Sequence, residues 1–141
     1  MRDAVGSGWS LGGFARGAEQ LFSGTALGQP LPGVSDATIQ TRLAAAKPYT
    51  ALVLRTTASY ARPAHDALIW DHGHRNVALV EAGLLAVVLP VVDDSGIAGY
   101  GVFTTDLEAT RRVLEGDPGG RAGIVDYELR PVRGSPGASL P

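Results

Sequence analysis

Two histidines seven positions apart, His65 and His72, fall in a stretch with a helical pattern. Imidazole titrates close to neutral pH, which suits it to moving protons to or from a bound substrate. At about 100° per residue, seven steps make nearly two turns, so both rings share a stripe with Leu68, Ile69, Asn76 and Leu79. A helix that turns imidazoles toward its own apolar side either satisfies them in a core or displays them in a pocket. Only the second arrangement gives chemistry. On that arrangement His72, in mid-helix, is the candidate general acid or base, and His65, near the helix start, a candidate substrate contact. His74 projects with Trp70 and Glu81 to the outside, and Asp71 with Arg75 makes an i, i+4 surface pair.

A second cluster lies on the last strand. Alternation puts Ile124, Asp126, Glu128, Arg130 and Val132 on one face and Val125, Tyr127 and Leu129 on the other. The apolar row is expected to pack on helices. The charged row then faces the helix-free side, where Arg55 of the first strand can pair with it across the ladder. Arg55 is also a candidate anchor for an anionic substrate.

Other chemistries find less support. His65, His72 and Asp66 lack the i, i+3 or i, i+4 spacing of metal ligands on adjacent turns, so no metal is expected. Gly6-Ser7-Gly8 and Gly12-Gly13 follow no strand, and Gly99-Tyr100-Gly101 lies inside one, so none has the context of a nucleotide fingerprint. No serine or threonine sits in a nucleophile motif.

The elements that must position these residues are regular from residue 49 onward. Residues 49–57 (YTALVLRTT) read as a strand, and residues 64–82 as a helix stopped by Gly83. Residues 84–92 (LLAVVLPVV) and 97–104 (IAGYGVFT) are two more strands, joined by an Asp93-Asp94-Ser95-Gly96 turn. Thr105-Asp106-Leu107-Glu108 fits a capping box for a second helix running to Leu114, and Gly116 closes it. The segment Asp117-Pro118-Gly119-Gly120 reads as a loop before the last strand, residues 124–132. Two strand–helix–strand units with right-handed crossovers give an α+β fold, a ferredoxin-like βαββαβ plait. Its four-stranded antiparallel sheet has strand order 4-1-3-2 and both helices on one face. The face without helices needs a cover, and a second copy of the sheet is the natural one, so a homodimer is expected.

Residues 1–48 form an N-terminal extension, rich in Gly and Pro, with possible short helices over residues 11–22 and 36–46. Phe14, Leu21, Phe22, Ile39 and Leu43 give it enough apolar surface to pack. Residues 134–141 read as a loose tail.

Composition narrows the partners. The 141 residues carry a formal net charge of −2, which leaves no basic surface for phosphate backbones, so nucleic acid is not an expected partner. There is no cysteine, which excludes disulfides, thiolate metal sites and cysteine nucleophiles. No apolar run reaches the roughly 18 residues that span a bilayer, and the start lacks a secretory pattern; a cytoplasmic protein without membrane contact is expected.

Taken together, motifs along the main domain resemble a known family. His72, then Leu79-Val80-Glu81-Ala82-Gly83-Leu84-Leu85, Pro90, Asp93-Asp94, Gly99-Tyr100-Gly101-Val102-Phe103, Asp117-Pro118, Ala122-Gly123 and Tyr127-Glu128-Leu129-Arg130-Pro131 together are similar in order and spacing to the YciI-like (YCII-related) family. The likeness covers residues 49–133. It implies a small dimeric α/β barrel in which the helix histidine, His72, pairs with an aspartate as acid and base. Members often carry that aspartate just after the first strand, where this chain has Thr56, Thr57 and Ala58; Asp117 is the candidate substitute. Relatives include a dehydrochlorinase acting on a chlorinated hydroxyquinol. The leading expectation is a cofactor-free enzyme with His72 as general acid or base on a small oxygenated substrate, aromatic, enolisable or polyketide-like, in a step of lyase or isomerase type. Arg55 or Tyr100 is the candidate donor for a resulting oxyanion. The alternatives are a cofactor-independent monooxygenase and a non-catalytic binding or accessory protein.

Overall fold

The structure, a computed structural model, describes residues 21–141, which divide between Ala46 and Lys47 into two compact units. The expected helix over residues 11–22 lies almost wholly outside the described residues; Leu21–Phe22, its end, is a short strand, β1.

In the first unit β1 pairs antiparallel with β4 (Val34–Ser35), and β2 (Thr25–Ala26) with β3 (Gln29–Pro30). Leu27 and Gly28, at φ 51 and 73, turn the chain between β2 and β3; both dihedrals lie in the left-handed region that a tight hairpin needs. Helix α1 (Asp36–Ala44) follows, with the Ser35 hydroxyl accepting the Thr38 N–H at 3.1 Å as its cap.

The second unit is a four-stranded antiparallel sheet in the order β6-β7-β5-β8, formed by β5 (Lys47–Thr56), β6 (Leu85–Pro90), β7 (Ile97–Phe103) and β8 (Val125–Gly134). Between them run α2 (Asp66–Glu81), α3 (Leu107–Leu114) and α4 (Pro118–Arg121). The sheet and helices are compatible with a ferredoxin-like plait.

Alternation along β5 sorts the sheet into two faces. Leu52, opposite Leu129 and Gly101, packs on a core of Leu79, Leu85, Phe103 and Leu114, which belong to α2, β6, β7 and α3. Leu54 joins Ile124 and Val125, against Leu68 and Ile69 of α2. Residues from α2 and α3 thus meet one face of the sheet. The odd-numbered residues of β5 take the other face. Val53 stands between Tyr100 and Glu128, and Ala51 between Val102 and Arg130. Val87 and Leu89 of β6 extend the apolar part of this face through their partners Val102 and Tyr100. Arg55 reaches Glu128 at 3.6 Å, and Glu128 also binds Arg130.

Several local expectations change. Ile124 sits just before β8, 1% exposed, so the alternation that placed it with Asp126 does not reach it. The cap of α3 is Asp106, whose carboxylate accepts the Ala109 N–H at 2.7 Å, whereas Thr105 turns inward to Thr110 at 2.8 Å. The segment after Asp117 is helix α4 rather than loop, because an aspartate cap followed by proline at the first position starts a helix. Gly83 ends α2 at φ 73, the left-handed turn in which Leu84 N–H reaches back to Leu79 O at 3.0 Å. Among the described residues no helix is long and apolar enough to cross a membrane.

Candidate functional site

His72 lies on the side of α2 that faces α4. Its Nδ1 is 2.7 Å from Oδ1 of Asp117, a residue 2% exposed at the start of α4. The other carboxylate oxygen of Asp117 accepts the Gly120 N–H at 3.0 Å as the helix cap. One short helix therefore fixes the carboxylate, and the carboxylate fixes the ring. Asn76, one turn along α2, places Nδ2 2.9 Å from His72 Nε2. An amide N–H aimed there meets a lone pair, so Nε2 is the acceptor, and Nδ1 carries the proton that is donated to Asp117. That tautomer is the one a general base requires: an oriented ring, a buried carboxylate behind it and a basic nitrogen in front.

Burial works to raise the Asp117 carboxyl. It is outweighed by the hydrogen bond from His72 and the charge that ring carries when protonated, the Gly120 N–H and the Arg75 guanidinium, which together hold the carboxyl below its ordinary value. Asp117 is therefore an anion that can balance an imidazolium formed at His72.

Arg75 was expected on the surface with Asp71. It turns inward instead, donating to the Val113 carbonyl at 2.7 Å and lying over Gly116, where even an added Cβ would sit 2.6 Å from its Nη2. His74 is outward, edge-on to the exposed Trp70 with ring centroids 5.4 Å apart.

The remaining candidates are dispersed. His65 lies in a 3₁₀ turn, Pro63–His65, just before α2, and its Nδ1–H donates to the Ser59 carbonyl at 2.7 Å. Arg55 and Tyr100 stand on the helix-free face of the sheet, the face opposite the one α2 packs against. Within one chain the sheet separates them from His72. Thr57, just after β5, uses its hydroxyl on the Gly123 carbonyl at 2.8 Å. Among the described residues no group of three or more His, Asp or Glu side chains is gathered to hold a metal.

Asn76 was placed on the His72 stripe by helical spacing but given no role; its i, i+4 relation to a histidine was the signal that could have found it. No family model matches this chain, and no curated protein matches it.

Proposed function

We propose that the chain is a cofactor-free enzyme in which His72, oriented by Asp117, moves a proton on a small oxygenated substrate in an elimination or isomerisation. The observation that carries this reading is the 2.7 Å contact between His72 Nδ1 and a buried carboxylate held below its ordinary protonation range. A histidine with only a structural part to play can be satisfied by a backbone carbonyl, as half-buried His65 is. An anionic partner instead stabilises the charged ring that forms when Nε2 takes a proton.

The working form in this reading is a homodimer of the YciI-like, dimeric α/β-barrel type. The helix-free face combines Val53, Val87, Leu89 and Val102 with Arg55, Glu128 and Arg130, so a second copy turned by a two-fold axis has apolar area toward β6 to cover and charges of both signs toward β8 to pair.

A second reading, a binding protein without turnover, is favoured by one feature: Asn76 already occupies Nε2, so every polar atom of the ring has a partner. Proton NMR in D₂O with the intact chain and a set of ketones, 1,3-dicarbonyls and hydroxyquinols separates the two. Exchange of protons next to a carbonyl, or elimination, above the buffer rate is expected. Binding with neither would overturn the enzyme reading in favour of the second.

A further inference from the structure

We infer that Asn76 is the oxyanion donor of the His72 site and that the substrate is a neutral, enolisable carbonyl compound; this rests on the reading of His72 as the base. The donors first considered, Arg55 and Tyr100, lie across the sheet from His72 in the same chain. Arg75 is committed to Val113 and packed over Gly116. Asn76 remains, and its amide nitrogen already stands 2.9 Å from Nε2. The base lone pair and an amide N–H thus face each other across 2.9 Å, one turn apart on a rigid helix, so a substrate that parts them meets both.

Neighbouring positions are what an enolisable carbonyl demands, since its acidic carbon and its oxygen are separated by only two bonds. With such a compound in place, the acidic C–H hydrogen meets the lone pair and the carbonyl oxygen takes the N–H, and the hydrogen bond between His72 and Asn76 opens. The C–H bond breaks, its electron pair passes into the enolate, and the proton goes to Nε2. Asp117 balances the imidazolium, while the amide N–H of Asn76 binds the new oxyanion. In D₂O the imidazolium exchanges with solvent and returns a deuteron to carbon. An uncharged amide suits an oxygen that carries charge only in transit, whereas a substrate with a permanent anion at that position would call for an arginine.

The test follows deuterium entry into cyclohexanone, hydroxyacetone and 2-tetralone by NMR with the full chain, comparing the unaltered protein, Asn76→Ala, Asn76→Leu and His72→Gln. Asn76→Leu keeps the side-chain shape should the alanine variant fail to fold. Loss of the donor is expected to lower kcat for exchange by roughly 10²–10³-fold with KM little changed. Nitrogen NMR of His72 should still find the proton on Nδ1, since Asp117 holds it there. If the Asn76 variants exchange at nearly the unaltered rate while His72→Gln is inactive, the Asn76 role is overturned and the base assignment stands. The role is also overturned if the variants lose rate only together with a changed His72 tautomer, because Asn76 would then act on the ring alone. Exchange by His72→Gln at full rate, or none by the unaltered protein, overturns the base assignment and this inference with it.

Discussion

His72 and Asp117, 45 residues apart in the chain, meet at 2.7 Å because Asp117 caps α4 with one carboxylate oxygen and turns the other to the ring on α2. The pair therefore joins two helices as well as forming the candidate site. Asp117→Ala removes both bonds. Losing a cap costs roughly 0.5–2 kcal/mol, and leaving the N–H of the half-buried imidazole without its partner costs up to about 1 kcal/mol more. A fall in denaturant midpoint of that combined size is expected. A change within about 0.5 kcal/mol, the size of an ordinary surface substitution, would mean the contact is not formed in solution.

The acid side of the stability curve carries the same contact. The Asp117 carboxyl is lowered in the folded chain, so its contribution is complete above the unfolded carboxyl value of about 3.9 and is lost as pH falls through the folded value. Asp117→Asn should flatten the stability profile below about pH 4 relative to the unaltered chain. Parallel acid limbs in the two proteins would contradict the assigned ionisation.

The helix-free face sets a third expectation. The proposed assembly should scatter light at micromolar concentration as twice the 14.6 kDa chain. Val53→Glu, which places a carboxylate at the centre of that face opposite Glu128, should shift it to the monomer. A monomer in the unaltered protein would remove the second-copy cover from the account.

Phe103 tests the core that holds α2 against the sheet. It is 1% exposed among Leu79, Leu85 and Leu114, so Phe103→Ala should cost about 3–5 kcal/mol. A loss under about 1 kcal/mol, measured by urea unfolding, would mean this packing is not the main support of α2.

Much of the second unit was legible because its strands obey period two and its helices end in strong signals. Arg55 and Glu128 met across the ladder as alternation required, and Gly83 stopped α2 where a left-handed residue was needed. The short ladders between Leu21 and Ser35 were not legible, since two-residue strands are too brief to display a period. Helix α4 was hidden in a Pro-Gly-Gly run that reads as loop, although Asp117 before Pro118 was a cap signal in plain view. The inward turn of Arg75 was also hidden, because a long side chain can fold over its helix toward a carbonyl that spacing alone does not locate. For the site, helical spacing found His72 and its neighbour Asn76, but only the fold brings Asp117 to the ring. Alternation placed Arg55 on the helix-free side and helical spacing placed His72 on the sheet-facing side of α2, so the pattern itself sets the two on opposite faces within one chain.

The central claim, that His72 moves a proton, is tested most directly by comparing His72→Ala with His74→Ala on the first substrate that the unaltered chain turns over. Both variants should fold, as checked by circular dichroism. His72→Ala should lose about 10²–10⁴-fold in kcat, the contribution typical of a general acid or base. His74→Ala, altered at a ring that only leans on exposed Trp70, should keep its rate. A folded His72→Ala variant with full activity would contradict the account and leave the contact with Asp117 as a tie between two helices.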